Sequence, residues 1–387
     1  MPGVADLPLH GGRVPRWMLR VMTELAGAIV EYMVEVRGPG SVVSMLSDPY
    51  WFQAFNNVIG MDWDSSGSTT VVTGILKTIT WRKPWLGLLV LGGKGGRSRL
   101  VPEEAPRAGE ILGIDPGVIV RASRLAARAD SAFLQDGYEL YHHAVIASST
   151  GDMAVVQQGM NEELGMARRY HVTRWELFEP HSAVAGRRAS AVLNATASES
   201  RRAVKAYIDI LGEGPRRVSR LLAQATSTLQ ARPTLLDYLA QRPRPGREET
   251  AAPRGGAGIP VYRPVRPTRS LIMRLEALAR DPPATPEELA LAPGLGPRAV
   301  RALALIADVI YGVPTSTRDP ATHPLDPYAY AYAIGGKDGV PYPFDARTAR
   351  KAIEILREAL EAARIGDKTR ERALARLRRL ARAVGEP

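Results

Sequence analysis

Residues 285–312 read TPEELALAPGLGPRAVRALALIADVIYG and carry the clearest structural signals in the 387-residue chain. Thr285 is suited to cap a helix, Pro286 to occupy its first turn, and Glu288 to complete a capping box. The glycines and prolines of 293–297 then predict a tight turn, followed by a second helix that ends at Gly312. The sequence therefore predicts two helices joined by a short hairpin.

The turn between these two helices has the composition of a phosphate-binding site. Gly294 and Gly296 would let the backbone approach a phosphate closely, and the free amides at the start of the second helix carry a favourable dipole. Leu295 is expected to pack between the helices, while Arg298 and Arg301 add positive charge. The stretch resembles the helix-hairpin-helix motif of DNA repair and recombination proteins, which implies DNA binding with little regard to base sequence.

A glycosylase variant of this motif is an alternative. In that variant a catalytic Asp follows the second helix, and Asp319 is the candidate for it. Some of those enzymes carry a nucleophilic lysine where this chain has Arg298, and an arginine cannot take that role because it stays protonated. The second helix is also a few residues too long, and too little chain precedes the motif to build the helical bundle of those enzymes.

The charge of the chain is positive and unevenly distributed. The formal net charge is +11 at pH 7. Residues 241–387 hold 25 Lys and Arg against 17 Asp and Glu, whereas residues 1–240 hold 26 against 23. A basic region of this kind indicates a polyanionic partner, most commonly nucleic acid and next an anionic membrane. Arginine outnumbers lysine by 44 to 7, which suits phosphate binding, although a GC-rich genome or a thermophilic habitat gives the same bias.

The composition excludes several mechanisms and locations. Because cysteine is absent, the chain has no disulfide, no thiolate zinc site and no cysteine nucleophile. It has no apolar run of about 18 residues, and residues 1–10 do not read as a signal peptide. We therefore expect a soluble, cytoplasmic protein without a membrane partner.

Residues 1–190 are predicted to form a mixed α+β domain with a catalytic or binding role. Apolar residues recur at helical spacing over 15–35, and residues 86–91 form a short apolar strand. Residues 138–148 and 153–159 have the pattern of two strands joined by a tight turn.

Three further segments follow this domain. Residues 191–240 predict a helical extension with a break at 212–215, and residues 241–269, dense in Pro, Gly and Arg, predict a linker. Residues 270–387 predict an all-helical DNA-binding domain that holds the hairpin and ends in a basic helix at 368–384. That last helix is either a solvated face or a further contact to DNA backbone. No internal repeat of fixed period is visible.

The predicted strand 138–148 and the residues around it contain a candidate metal site. Under strict alternation Glu139 and His143 share one face, Asp136 lies just before them, and Gln157 on the next strand lies opposite. Carboxylate and imidazole groups in this arrangement suit Mg²⁺ or Mn²⁺, which would activate water for nucleic-acid hydrolysis. These four residues are the candidate catalytic residues, with Asp136, Glu139 and His143 as metal ligands. The alternative is that they are satisfied polar groups of a core or a sheet edge.

Two basic stretches are further candidates for nucleic-acid contact. Lys94, Arg97 and Arg99 follow a strand in a Gly-rich loop, which predicts a phosphate nest, although the spacing of a Walker A loop is missing. Arg168 and Arg169 precede two aromatic rings, so that this string would contact phosphates and stack on a base. A solvated charge pair is the alternative for the second stretch.

Eight short strings, together with the hairpin, resemble the family known as domain of unknown function 763, which occurs in archaea and some bacteria. The strings are ADLPLHGG (5–12), LSDPYWFQ (46–53), DWDSSG (62–67), GGKGGRSR (92–99), QDGY (135–138), QQGMN (157–161), ARRYH (167–171) and GGKDG (335–339). The resemblance spans most of the chain apart from the linker and implies no established activity. Asp64 stands where the family is expected to have His, which weakens a metal role there.

Three hypotheses on function remain open from the sequence. The first is a metal-dependent nuclease in DNA processing or repair, whose α+β domain does the chemistry while the helical domain grips DNA. The second is a DNA-binding or repair-scaffold protein without enzymatic activity. The third is binding to structured RNA or the ribosome, because hairpin amides recognise phosphates of either polymer. DNA is the preferred partner.

Overall fold

The computed structural model describes residues 7–8, 16–59, 67–231, 265–322, 346–362 and 366–383. The helices are α1 (Arg16–Arg37), α2 (Pro39–Ser47), α3 (Pro49–Ile59), α4 (Gly67–Arg82), α5 (Val101–Leu112), α6 (Pro116–Arg128), α7 (Arg201–Gly212), α8 (Pro215–Ala231), α9 (Arg269–Leu278), α10 (Pro286–Leu291), α11 (Pro297–Tyr311), α12 (Ala346–Ala362) and α13 (Asp367–Ala383). The strands are β1 (Leu7–Pro8), β2 (Leu88–Lys94), β3 (Leu134–Gln135), β4 (Glu139–Ser148), β5 (Met153–Asn161), β6 (Met166–Val172), β7 (His181–Ala185) and β8 (Leu193–Asn194). The predicted α+β class is confirmed.

An antiparallel sheet forms the centre of the N-terminal half. Its strand order is β1-β6-β5-β4-β2, with β7 also pairing with β6, and β3 and β8 form a separate two-stranded sheet. The predicted hairpin is confirmed as β4 and β5. Its turn closes between Ser148 and Asp152, and Gly151 there has φ 87°, a conformation that favours glycine.

Helices cover both faces of this sheet. On the side that we call face A, Ala144 and Ile146 of β4 pack into a core with α1 to α4. On face B, Val145 and Ala147 pack against α5 and α6. Because successive strand residues point to opposite faces, a strand covered on both sides is buried throughout its covered length. The burial of every residue from His142 to Ser148 agrees with this.

A separate core is built from helices. It joins α7 and α8 to α9, α10 and α11, and takes in Phe133, Phe178 and Leu193 from the sheet region. The predicted break at 212–215 is confirmed, because α7 ends at Gly212 and α8 begins at Pro215. The helices on either side of the predicted linker therefore share one hydrophobic core.

The helices after residue 270 do not form a core of their own. Helices α9 to α11 pack with α7 and α8, whereas α12 and α13 place residues such as Leu356 and Leu377 in the core beside α1 and α3. The predicted boundaries at 190 and 240 thus do not separate hydrophobic cores. Most of the predicted linker, 241–264, lies outside the described residues, and α9 begins at Arg269.

Among the described helices, none is both long enough and apolar enough to span a bilayer.

Candidate functional site

The two helices predicted at 285–312 are present as α10 and α11. Thr285 caps α10 by accepting a hydrogen bond from the Glu288 amide at 3.1 Å, and the Glu288 carboxylate accepts from the Ala284 amide at 2.8 Å. Pro286 occupies the first turn as predicted. In a standard capping box the Glu288 carboxylate would accept from the amide of Thr285 itself, whereas here it accepts from the amide of the preceding residue, Ala284.

Between these helices lies a turn that we call turn II (residues 292–298). Gly294 has φ 81°, which favours glycine, and the Leu295 side chain is buried in the helical core as predicted. The backbone amides of Gly294, Gly296 and Arg298 have no hydrogen-bond acceptor within the described part of the chain. Turn II thus presents three open donors at the start of a 15-residue helix.

The predicted basic residues of turn II differ in their surroundings. Arg298 is exposed and makes no described contact. Arg301 instead donates to Oε1 of Gln135 at 2.6 and 2.9 Å, and Gln135 donates in turn to the Pro297 carbonyl at 2.8 Å. Arg128 donates to the Leu295 carbonyl at 2.6 Å. Arg301 therefore helps to anchor the turn, and Arg298 is the side chain open to a partner.

A second turn of the same type lies between α7 and α8, and sequence analysis missed it. We call it turn I (residues 212–216). Its sequence, Gly-Glu-Gly-Pro-Arg from Gly212, matches Gly-Leu-Gly-Pro-Arg from Gly294. In turn I the amides two and three residues after Pro215 bond to the Gly214 carbonyl, and the corresponding amides in turn II bond to the Gly296 carbonyl.

The similarity continues along the helices that follow the two turns. The buried positions Val218, Leu221, Leu222 and Ala225 of α8 recur 82 residues later as Val300, Leu303, Ala304 and Ala307 of α11. A repeat of five turn residues, Gly-x-Gly-Pro-Arg, was the signal available in the sequence. It was hidden because the turns differ in length and Glu213 replaces the apolar Leu295.

The two hairpins pack against each other in one core. Helix α11 contacts both α7 and α8. At its C-terminal end the Tyr311 hydroxyl donates to Glu213 in turn I, while turn II lies at its N-terminal end. Because α11 spans 15 residues, the two turns are about 20 Å apart. Helices α8 and α11, which follow the two turns, therefore run in roughly opposite directions.

Turn I is surrounded by arginines. A surface pocket of about 460 Å³ is lined there by Glu213, Gly214, Pro215, Arg216, Arg217 and Arg220. Glu213 accepts a hydrogen bond from Nε of Arg217 at 3.0 Å, so that its charge is balanced locally. Arg216 and Arg220 are exposed and make no described contact.

The three predicted metal ligands are not brought together. A bulge in β4 shifts its register, so that Glu139 pairs with Met160 while His143 pairs with Gln157, as predicted for the latter pair. Met160 and Gln157 are three residues apart and point to opposite faces, so the prediction that Glu139 and His143 share a face was wrong. Within the described residues no three acidic or imidazole side chains are grouped to hold a metal. Binding of Mg²⁺ or Mn²⁺ stays a prediction.

On face B, His143 and Gln157 belong to a closed hydrogen-bond network. Gln157 donates to Asp130 at 2.6 Å, so its carbonyl oxygen accepts from Nδ1 of His143 at 2.7 Å. Nε2 of His143 then accepts from the Ser123 hydroxyl at 2.8 Å, and Asp130 accepts from His181 at 2.5 Å. Burial lowers the pKa of His143. Each member has a partner, which favours the structural alternative.

Arg168 is buried and joins two distant carboxylates, contrary to its predicted contact with nucleic acid. It pairs with Asp136 at 2.7 Å and with Asp319 at 2.9 Å. Asp136 also accepts from the Tyr170 hydroxyl at 2.7 Å. Burial alone would lower the pKa of Arg168, but the two carboxylates raise it on balance. The arrangement ties the segment after α11 to the sheet and leaves Asp319 inaccessible as a glycosylase carboxylate.

Arg169 lies on face A and is buried as well. It donates to the Thr69 hydroxyl at 2.9 Å and to Oε1 of Gln53 at 3.2 Å, and its guanidinium lies over the Phe52 ring. The predicted use of 168–171 as a surface for stacked bases is therefore wrong, because the strand is covered on both faces.

The basic residues of the Gly-rich loop are exposed, as expected for polyanion contact. Lys94 ends β2, and Arg97 and Arg99 lie in the 3₁₀ segment Gly95–Arg99. Lys94 also lies 5.9 Å from the centre of the Tyr141 ring. Whether these residues bind phosphate stays a prediction.

Comparison with protein families agrees with the resemblance seen in the short strings. The model of the family described as "Protein of unknown function (DUF763)" matches residues 3–344. The chain belongs to this family. Among curated proteins and solved structures, none matches significantly. Membership in DUF763 therefore supports no activity, and the functional argument rests on the geometry of the chain.

Proposed function

We propose that this protein binds duplex DNA through its phosphate backbone, without preference for base sequence, and holds one strand at each of turns I and II. The proposal rests on the turn sequence Gly-x-Gly-Pro-Arg, which occurs twice in the chain, each time at the start of a long helix. Both of these helices belong to one hydrophobic core. Such a protein would act in DNA processing or repair.

The local chemistry of both turns suits a phosphate. Turn II offers three open amides at a helix N-terminus, where the dipole favours an anion, together with the exposed Arg298. Turn I offers the exposed Arg216 and Arg220 beside a pocket. These groups contact backbone and not base edges, so the expected binding is insensitive to sequence.

The relation between the two turns suits a duplex in particular. Their separation of about 20 Å allows them to reach the phosphates on both sides of a groove that is about 6 to 12 Å wide. The helices that follow the turns run in roughly opposite directions, as the two DNA strands do. An approximate twofold relation would therefore present equivalent groups to equivalent phosphates.

The other hypotheses have less support from the described residues. A glycosylase would need Asp319, which is buried against Arg168. A nuclease of the predicted type would need the ligands Asp136, Glu139 and His143 in one place, and β4 separates them. Double-stranded RNA presents a groove of different shape and serves as the comparison in the test.

The test measures the affinity of the full chain for a short duplex by fluorescence anisotropy at several salt concentrations. Each of Arg216→Ala and Arg298→Ala is expected to reduce the slope of log affinity against log salt by about 0.9, because each releases one phosphate contact. Arg301→Ala should change the slope little, since Arg301 is held by Gln135. Arg82→Ala, an exposed arginine at the end of α4, is the matched control.

If the slope of log affinity against log salt is unchanged in both Arg216→Ala and Arg298→Ala, the proposal is wrong. Equal or tighter binding of double-stranded RNA would assign the turns to RNA instead. A slope change in only one variant would leave a single-turn contact and contradict the two-strand arrangement.

A further inference from the structure

The two faces of the sheet differ in how completely their buried polar groups are hydrogen-bonded. On face B the network around His143 and Gln157 is closed. On face A, buried polar atoms without a partner in the described part of the chain belong to Trp51, Gln53, Asn56 and His142, and Nε of Arg168 on the opposite face is a further such atom. Buried polar atoms without partners are costly and rare in native proteins, so their concentration indicates a site that a ligand completes.

These residues lie on neighbouring elements on face A. His142, Gln158 and Arg169 are neighbours across three adjacent strands, with Lys94 at the end of the row. Above them, Gln53 of α3 accepts a hydrogen bond from Arg169. Asn56 is three residues further along α3 and therefore lies on the same side of the helix as Gln53. The open atoms are Nε2 of Gln53, Nδ2 and Oδ1 of Asn56, and Nδ1 of His142.

The hydrogen bonds around His142 determine which of its ring nitrogens carries the proton. The Thr73 hydroxyl donates its proton to the Thr69 carbonyl at 2.7 Å. It must therefore accept from Nε2 of His142 at 3.1 Å, so Nε2 is protonated. Nδ1 of His142 is left as a buried acceptor. The site thus combines two amide donors with two acceptors, the latter on His142 and Asn56.

Among the described residues, the charged groups beside His142 are cationic. Burial, the neighbouring His143, and the charges of Lys94 and Arg169 lower the pKa of His142 to about 3. A neutral imidazole is therefore held beside two cationic side chains, which favours a ligand that brings negative charge.

We propose that the face A cluster, formed by Gln53, Asn56, His142 and Arg169, binds a phosphate monoester. The singly protonated form of a phosphate monoester, which a second pKa near 6 keeps accessible near neutral pH, carries negative oxygens for the amide donors and one P–OH that donates to Nδ1 of His142 or Oδ1 of Asn56. At neutral pH a carboxylate or a sulfate offers hydrogen-bond acceptors and no hydrogen-bond donor. The site is separate from turns I and II and does not depend on the proposed function.

The test is isothermal titration calorimetry of the full chain with orthophosphate, with a deoxynucleoside monophosphate, and with one oligonucleotide bearing either a 5′-phosphate or a 5′-hydroxyl. The two oligonucleotides differ only in the 5′-phosphate, so binding of the DNA backbone contributes equally to both. Comparing them with orthophosphate and the monophosphate shows whether the site takes a DNA end or a free phosphate. Saturable, phosphate-dependent binding is expected, with sulfate at least about 10-fold weaker because it cannot donate to the open acceptors.

Asn56→Leu is the decisive variant, because both polar atoms of Asn56 lack partners. It should weaken phosphate binding about 10- to 100-fold and at the same time raise the melting temperature of the free protein, since an apolar side chain of similar size relieves the buried polar group. The matched control is Gln157→Leu in the closed network on face B, which should lower the melting temperature and leave phosphate binding unchanged.

Three results would overturn the proposal. They are the absence of phosphate-dependent binding with every probe, equal affinity for sulfate and phosphate, and Asn56→Leu binding as tightly as the wild type. A lower melting temperature in Asn56→Leu would likewise show that Asn56 stabilises the fold and does not await a ligand.

Discussion

Replacing Arg168 with Met is expected to lower the free energy of unfolding by about 3 to 5 kcal/mol. The substitution leaves the buried carboxylates of Asp136 and Asp319 without their shared cation. It also removes the donor to the Arg187 carbonyl. Equilibrium unfolding in urea measures the loss. Hydrogen exchange should show the largest effect in the segment after α11, which Asp319 ties to the sheet.

Two control variants separate the charge effect from general damage. Adding Asp136→Asn and Asp319→Asn to Arg168→Met removes the stranded carboxylates and should restore part of the loss. Arg187→Met, at an exposed neighbouring position, should change stability by no more than about 0.5 kcal/mol. If Arg168→Met is as stable as the Arg187→Met control, the ion pairs of Arg168 do not hold the two regions together.

Gly296→Val combined with Arg216→Ala should weaken binding to duplex DNA of any sequence by about 100- to 1,000-fold. Gly296 has φ −150°, which any residue adopts, and a Cβ there meets nothing within 4 Å. The valine is therefore compatible with the fold, but its side chain stands between the open amides of turn II and a phosphate. Gly294, with φ 81°, would be strained by the same change.

The two substitutions act at opposite ends of α11, so their effects on the free energy of binding should add. Gly296→Ala, with only a methyl group, should give an intermediate loss, and Gly296→Val should alter affinity more than salt dependence. Circular dichroism checks that each variant is folded. If the folded double variant binds duplex DNA with the affinity of the wild type, both turns serve only to join packed helices and do not bind DNA.

Local signals in the sequence were sufficient for several elements. Thr285, Pro286 and Gly294 act within one or two helical turns, so the α10–α11 hairpin could be predicted from residue types alone. The β4–β5 hairpin followed from alternation and Gly151 in the same way. The break before Pro215 was also predicted from local residue types, although the similarity between turn I and turn II was not recognised.

What the sequence did not reveal depends on contacts between distant residues. An arginine in a basic chain suggests a solvated charge, and nothing near Arg168 indicates that Asp319, 151 residues later, makes its burial possible. The bulge in β4 reversed the face of Glu139, which alternation cannot anticipate. The packing of α12 and α13 beside α1 and α3 is likewise invisible to local patterns.

Replacing the phosphates of one strand of a short duplex with uncharged methylphosphonates tests the two-strand arrangement most directly, because the result does not depend on the register of a sequence-independent complex. We expect that neutralising either strand reduces the slope of log affinity against log salt by about half, since one of the two turns then meets no charge. An unchanged slope would show that the protein needs only one charged strand, and would contradict the two-strand arrangement.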